Sequence, residues 1–586
     1  MRYLALVCDY DGTLATDGQV DDATVAALER LLASGRKLVL VTGRELPELL
    51  TIFPHADLFE RIVAENGALL YRPASREEKV LAPPPPERFV QELRARKVWP
   101  FSVGRVIVAS WRPHEVTILE AIRDLGLELQ VIFNKDAVMV LPAGVNKATG
   151  LTVALEEMGL SPHNTVGIGD AENDHAFLSL CECCAAVANA LPVVKEEVDM
   201  VTRSERGAGV TELIDELQAT DLRAHDQILA RHHLLLGTRD NGAELRISPY
   251  GMNLLIAGPS GSGKSTVASG LLERLGEQKY QFCVIDPEGD YENFAGATTL
   301  GNSERAPTID EVLQLMKNPQ TSVVANLVGL PIVDRPSFLL TLLPRLEEMR
   351  ARTGRPHCLL LDETHHLLPA SWQPGALVLP HGLSGMIGIT VHPKMIAPVA
   401  LASLKIVIAV GKAPRETLRE YCTAIGQRCP DAAAGDLKPG EVLVWERDGA
   451  TPPFRLRVAP SRTERRRHSR KYAEGELPPE RSFYFRGPEG KLNLRAQNLF
   501  LFLQLAAGVD DDTWLYHLRK GEYAHWFREV IKDDALADET AAIEARAELS
   551  PADSRARIKE AIEHRYTLPA STPMPMPGTD AASRRF

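Results

Sequence analysis

The sequence predicts an α/β protein in which two doubly wound domains follow one another and a mainly helical domain closes the chain. Three observations predict it. Short apolar runs alternate with helical patterns over residues 1–215 and again over 251–458, as sheets covered by helices require. Polar and acidic residues appear where those apolar runs stop, and open α/β sheets bind ligands at such strand ends. From residue 480 the pattern turns helical, with Trp514, Tyr516, Trp526 and Phe527 supplying bulk.

At 586 residues the chain is too long for one core. With roughly 100–200 residues per domain, three or four units are expected. A net charge of −12 removes any whole-protein attraction to DNA or anionic membranes but leaves room for a local basic groove. No apolar run approaches the ~20 residues that span a bilayer, so no membrane partner is expected. The apolar start runs directly into an acidic motif and reads as a buried strand rather than a signal peptide. The eight cysteines lack framework spacing, and Cys181, Cys183 and Cys184 crowd together without a second ligand pair. Reduced core thiols fit them better than zinc, and a cytoplasmic location follows.

In the first domain, residues 4–8, 37–41, 61–64 and 165–168 are the expected strands. The proline run at 83–86 opens an insertion, with strands expected over 103–110, 130–133 and 137–141 and a helix over 114–125. Together with its flank this makes a small α+β cap of about residues 72–141. Residues 216–250 are expected as a connector with two short strands around Arg239-Asp-Asn-Gly. The second α/β domain occupies 251–458. Residues 459–479 form a basic linker in which Arg462, Arg465, Arg466, Arg467, Arg470 and Lys471 are either solvated or set against nucleic-acid phosphates. A helical domain spans 480–566, assigned docking or oligomer contacts by default. Residues 567–586, rich in Pro, Ser and Thr, are expected to be disordered.

Asp9-Tyr-Asp-Gly-Thr-Leu follows a buried strand and sets two carboxylates at i and i+2. A carboxylate nucleophile suits phosphoryl transfer when a metal screens the two anions, and the second carboxylate can protonate the leaving oxygen and then activate water. Thr42, in Val39-Leu-Val-Thr-Gly-Arg, ends a strand with a hydroxyl placed for a phosphate oxygen, beside Gly43 and Arg44. Lys147 offers a cation for the same phosphate. Gly167-Ile-Gly-Asp-Ala-Glu-Asn-Asp ends another strand with Asp170 and Asp174, hard oxygen ligands suited to Mg²⁺.

These four segments, in this order, resemble the haloacid dehalogenase superfamily of phosphatases. The resemblance implies a Rossmann-like fold, Asp9 as nucleophile, Asp11 as general acid/base, and Thr42 and Lys147 as phosphate ligands. It puts Asp170 and Asp174 at the Mg²⁺, with Asp9 and Asp11 also contributing there. A cap between the Thr42 and Lys147 motifs, Ala64-Glu-Asn-Gly and Asp170-Ala-Glu-Asn-Asp all resemble the Cof-like branch. The short cap is most like that of archaeal-type phosphoglycolate phosphatases and sugar-phosphate phosphatases. A small phosphorylated metabolite is the expected substrate, with Arg44 and Lys135 as candidate contacts.

In the second domain an apolar strand runs into Gly258-Pro-Ser-Gly-Ser-Gly-Lys-Ser-Thr and then a helix, which is the P-loop pattern in its required context. Gly258, Gly261, Ser262, Gly263 and Thr266 shape a loop whose amides close around phosphates. Lys264 is placed for the β- and γ-phosphates of ATP and Ser265 for Mg²⁺. His357-Cys-Leu-Leu-Leu-Asp-Glu supplies Asp362 for Mg²⁺ and Glu363 to polarise water, which points to hydrolysis rather than transfer to a hydroxyl.

Together with Val284-Ile-Asp-Pro-Glu-Gly-Asp-Tyr, Ile389-Thr-Val-His-Pro and Leu437-Lys-Pro-Gly-Glu-Val-Leu-Val-Trp, these residues resemble the HerA/FtsK group of ATPases over about 232–458. His392 stands where many members carry glutamine. The resemblance implies a homo-oligomer, a hexameric ring in that group, with a neighbour's arginine at each ATP site and DNA as a partner. Arg415 and Arg419 are candidates for that arginine, with ordinary surface charge equally open. The N-terminal barrel of true HerA is missing or reduced here to two strands, which puts processive DNA translocation in doubt, though not ATP hydrolysis.

The leading expectation is a bifunctional hydrolase, a metabolite phosphatase fused to an ATPase that drives assembly or remodelling. A DNA-end-processing machine and an ATP-switched scaffold are the alternatives.

Overall fold

Ala5–Asp9 is buried at every position and lies at the middle of an eight-stranded sheet, as a continuous apolar run covered on both faces must. The order across that sheet is Met200–Val201, Cys183–Ala186, Thr165–Gly169, Ala5–Asp9, Lys37–Val41, Arg61–Ala64, Leu69–Arg72 and Glu77–Val80. Pairing is parallel up to Arg61–Ala64 and antiparallel for the last two strands. The outer strand, Glu-Glu-Lys-Val, is exposed throughout, and its charges blunt the sheet edge.

The computed structural model describes residues 1–134, 136–225, 229–371, 385–431, 437–449, 451–461, 477, 479–531, 533–546 and 548–565. Lys135, the basic run from Arg462 to Lys471 and the tail expected at 567–586 lie outside these. Clustering of contacts divides the chain into two units, Met1–Arg462 and Thr463–Phe586.

The cap differs from expectation at two points. Its sheet does not begin near residue 72, because residues 77–80 extend the main sheet by pairing with Leu69–Arg72. Residues 103–110 are not one strand. A turn in which the Gly104 amide donates to the Ile107 carbonyl (2.8 Å) splits them into Phe101–Val103 and Val108–Trp111. These join Ala137–Pro142 and Leu129–Asn134 in a four-stranded antiparallel sheet. One face packs helices Glu87–Ala95 and Glu115–Asp124 through Phe89, Leu93, Ile118 and Val138. A second small cluster, in which Val106, Ile107, Met139 and Leu141 of the cap meet Ala68 of the main domain, joins the two.

The connector expected at 216–250 is divided between its neighbours. Helix Arg206–Thr220 runs past residue 215 and packs on Asp22–Ala33, and Leu217, Leu222 and Leu229 join the first core. Leu234–Arg239 and Glu244–Ile247 instead enter an eleven-stranded sheet of the second domain. Its order continues through Phe454–Val458, Glu441–Glu446, Ile406–Val410, Leu254–Ala257, Met386–Thr390, Cys358–Leu361, Phe282–Asp286, Ser322–Asn326 and Ala297–Leu300. The seven strands from Ile406–Val410 onward are parallel and the other four antiparallel.

The two α/β domains meet at the starts of their central strands. Asn164 precedes Thr165–Gly169, and its carbonyl accepts from the Leu4 amide just ahead of Ala5–Asp9 (2.8 Å). Burial first, then the charges of His163 and Arg355, push the His357 ring well below the ordinary imidazole range. Neutral His357 accepts the Gln281 amide at Nδ1 (3.0 Å), so Nε2 donates to Asn164 Oδ1 (3.2 Å). Beside it lies buried Glu182, with Arg2 at 2.5 Å, His163 at 2.7 Å and the Tyr280 hydroxyl at 2.7 Å. His163 also meets the Gln278 carbonyl (2.6 Å) and stacks on Tyr280, so first-domain side chains are satisfied by the second.

Thr463–Phe586 pairs Phe483–Phe485 with Leu494–Ala496 and gathers its helices around Phe483, Phe502, Trp514, Tyr523 and Trp526. Phe527 is buried there and Tyr516 half-buried. Among the described residues no helix is long and apolar enough to cross a membrane.

Burial pushes the Glu182 carboxyl up, but the hydrogen bond and charge of His163, with Arg2, outweigh it and hold the group well below its ordinary 4.5. A depressed carboxyl stabilises the fold above that value and loses the contribution as pH falls. Glu182→Gln is therefore expected to cost about 3–5 kcal/mol at neutral pH, as removal of one partner from a buried ion pair does. The deficit relative to the parent, read by denaturant titration, should shrink as the medium is acidified below about 4.5. A deficit independent of pH would instead mark lost packing.

Candidate active sites

Asp9 is the last residue of its strand and only 4% exposed. Lys147, fully buried at the start of helix Lys147–Glu157, reaches Asp9 Oδ1 at 2.6 Å and Asp174 Oδ1 at 2.5 Å. That helix starts well because Asn146 caps it and the Asn146 amide donates to Thr149 Oγ1 (3.1 Å). The other Asp174 oxygen accepts from the Asp170 and Ala171 amides (2.9 and 3.0 Å), and Thr13 donates to Asp170 Oδ1 (3.3 Å). Asp9, Asp170 and Asp174 each offer a carboxylate oxygen within 4.8 Å of the others.

Two of the three buried carboxylates, Asp9 and Asp174, thus share one ammonium. Burial, then Asp174, push the Asp9 carboxyl well above its ordinary range, against the opposing pull of Lys147. Burial alone would lower the Lys147 ammonium, yet the charges of Asp174 and Asp9 outweigh it and raise it. An all-oxygen donor set with surplus negative charge fits a hard divalent cation such as Mg²⁺. Asp11, expected at the same cation, is held elsewhere. Arg44 forks onto both its oxygens, Nε to Oδ2 at 2.7 Å and Nη2 to Oδ1 at 2.8 Å, while Nη1 meets Glu48. Arg44, expected to face substrate, is therefore the partner of Asp11 in this structure.

Thr42 is fully buried, and its hydroxyl accepts the Arg44 amide (3.1 Å), leaving its proton to offer to a phosphate oxygen. Gly43 lies under the cap, where an added Cβ would sit 3.2 Å from the Met139 sulfur. Sequence reasoning gave no role to Glu65, Asn66 or Asn173, all buried here. The Glu65 and Asn66 amides donate to the Arg44 and Thr42 carbonyls, and Asn173 donates to Asn66 Oδ1 (3.1 Å). The signal was the Ala64-Glu-Asn-Gly segment, in which Glu65 and Asn66 both take positive φ.

In the second domain, Leu254–Ala257 feeds the phosphate loop and Lys264–Glu277 is its helix. Gly258 has no room for a side chain, since an added Cβ would meet the Val410 carbonyl at 2.1 Å. Lys264 Nζ donates to the Pro259 carbonyl across the loop (3.0 Å), Ser262 and Ser265 are half-buried, and Gly261 and Thr266 are exposed. Asp362 follows Cys358–Leu361 and is 2% exposed, with Oδ2 lacking a hydrogen-bond partner among the described residues. Burial, then Asp290, Glu363, Asp286 and Glu288, push its carboxyl well above the usual range. A buried orphan oxygen amid carboxylates again fits a divalent cation. Glu363 stands in the left-handed region, φ 37°. The Asp286 carboxylate accepts four amides, from Glu288 to Tyr291, so it shapes its own turn. His365 meets Thr390 Oγ1 (3.2 Å), and Thr390 Oγ1 accepts the His392 amide (3.1 Å). Arg415 and Arg419 are exposed on helix Pro414–Ala424.

The family model for haloacid dehalogenase-like hydrolases matches residues 6–93 and 112–214, and that for the helicase HerA central domain matches 236–341. The chain belongs to the haloacid dehalogenase-like hydrolases and carries a HerA-type domain after the phosphatase domain. Among its relatives, phosphoglycolate phosphatase 2 of Saccharolobus solfataricus is 30% identical over 224 residues, 36% of this chain and 92% of that one. A phosphoglycolate phosphatase of Methanothermobacter thermautotrophicus is 29% identical over 220 residues, 36% and 96% of the two chains. A solved haloacid dehalogenase-like hydrolase from Bacteroides thetaiotaomicron is 20% identical with a TM-score of 0.34, covering 37% of this chain and 99% of that one.

Mg²⁺ added without nucleotide should raise the melting temperature of the parent chain, since a ligand at 100 times its Kd contributes about 2.7 kcal/mol. Asp170→Asn should abolish that rise while the fold, followed by circular dichroism, persists. An undiminished rise would place the cation elsewhere.

Proposed function

We propose that the first domain is a Mg²⁺-dependent phosphomonoesterase that works through an aspartyl-phosphate on Asp9, acting on a small phosphorylated metabolite. The buried Asp9–Lys147–Asp174 arrangement beside Asp170 carries this reading. Asp9 attacks phosphorus, the ester oxygen leaves, and Asp11 gives it a proton. Asp11 then takes a proton from water as that water attacks phosphorus, releasing phosphate and freeing Asp9. Lys147 and Thr42 hold phosphate oxygens, with Gly43 leaving room beneath the cap. Mg²⁺ on Asp9, Asp170 and Asp174 supplies the charge that lets a carboxylate approach a phosphate anion. The names of the relatives make 2-phosphoglycolate the first substrate to try.

The second domain is proposed to hydrolyse ATP. Lys264 and the loop amides hold the phosphates, Ser265 and Asp362 hold Mg²⁺, and Glu363 polarises the attacking water. Exposed Arg415 or Arg419 would complete a neighbour's site in a homo-oligomer, a hexamer on the HerA pattern, in the cytoplasm.

Phosphate release from 2-phosphoglycolate, sugar phosphates and end-phosphorylated DNA oligonucleotides tests the first activity. Asp9→Asn should lower release at least ~10³-fold and leave ATP turnover intact, and Lys264→Ala should do the reverse. Loss of both activities in either variant contradicts independent sites, and release confined to DNA ends would recast the chain as a DNA-processing machine. Glu363→Gln should keep ATP binding and slow turnover about 10²–10⁴-fold. Normal turnover there would remove Glu363 from the mechanism.

A further inference from the structure

Glu65 is fully buried in the main domain, yet its carboxylate is spent entirely on the cap. Oε1 accepts the Arg105 amide (2.8 Å), and Oε2 accepts those of Val106 (2.7 Å) and Ile107 (3.0 Å). Three consecutive amides converging on one anion make a nest. Gly104 permits the approach, because an added Cβ would lie 2.7 Å from Glu65 Oε1. Val106 and Ile107 carry the turn into the apolar cluster with Ala68 and Met139, so polar and apolar contacts close the same seam.

The same short segment touches three loops of the phosphatase site. Its amides hold the Thr42–Arg44 stretch, Asn66 holds Asn173 beside Asp174, and Gly67 abuts Asn146 just before Lys147, where an added Cβ would meet the Asn146 carbonyl at 1.9 Å. We infer that Glu65 is a positioning residue that latches the cap turn 104–107 over the phosphatase site and so sets the site's preference for short phosphate esters. This deepens the phosphatase reading and rests on it.

With the latch made, Met139 of the cap lies against Gly43, and on this inference the capped site favours a short ester. Apparent affinity for such an ester depends on the fraction of molecules with the cap closed. A bulky ester that reacts with the cap open is indifferent to that fraction. Glu65→Ala removes the acceptor, and Gly104→Ala crowds the same contact from the cap side without touching the main core. Charge-assisted bonds are among the stronger ones.

The test uses the full chain with 2-phosphoglycolate and p-nitrophenyl phosphate, and hydrogen exchange without substrate. Each variant should raise KM for 2-phosphoglycolate about tenfold or more and move kcat/KM for p-nitrophenyl phosphate by less than about twofold. The double variant should be no worse than Glu65→Ala alone, because both changes break one contact. Amides 105–107 should exchange about tenfold faster in each, with those of Ala5–Asp9 unchanged. Parallel losses on both esters, additive effects or unchanged exchange at 105–107 would overturn the latch. A parent chain releasing no more phosphate than Asp9→Asn would sink the phosphatase reading instead, and exchange at 105–107 would still decide whether Glu65 holds the cap.

Discussion

Taking a carboxylate out of water costs several kcal/mol unless an opposite charge or a set of donors goes with it. The phosphatase site takes three, and Lys147 is the charge that accompanies them. Its position dictates much of the surrounding chain. Asn146 has to start the helix where the ammonium can reach two strand ends, Asp174 has to turn back onto its own loop amides, and Gly67 has to stay small where the helix begins. Strand order brings Ala5–Asp9 and Thr165–Gly169 side by side, and that places Asp9 and Asp170 together. The site is thus an electrostatic problem posed by the sheet and answered by one lysine.

Much of this was legible in the sequence because strand ends are where pattern and chemistry coincide. An apolar run that stops at an aspartate announces both a buried strand and a ligand at its end. Asp9, Thr42, Asp170, the phosphate loop and Asp362 were readable on that ground. The second domain's sheet was only half legible, since Ala297–Leu300 and Ser322–Asn326 carry no catalytic punctuation. Residues 216–250 misled because periodicity cannot say which sheet a strand will join, and hydrogen-bond partners more than 200 residues away made that choice.

Side-chain partnership was the least legible level. Arg44 follows the Thr42 motif and looks free to face substrate, yet Asp11 is close enough to take its whole fork. Glu65 sits in Ala64-Glu-Asn-Gly, a segment that marks a resemblance without giving the side chain a role, and only the fold shows that its carboxylate leaves its own domain. Residues 103–110 have strand composition throughout, but three amides drawn to that carboxylate bend them into a turn. Such outcomes depend on pairs distant in sequence, which local pattern does not encode.

The joint at Asn164 and His357 has a thermodynamic consequence. Tyr280 reaches Glu182 and His163 reaches the Gln278 carbonyl across the two α/β domains, so opening this seam breaks buried hydrogen bonds on both sides. The central strands of both sheets start at that seam, so Asp9, at the end of its strand, and Asp362, just past the end of its own, stand on the side away from it. With the seam buried and hydrogen-bonded from both sides, the two α/β domains are expected to melt together. A ligand held by either domain would then add its binding free energy to the cohesion of both, without approaching the other's site.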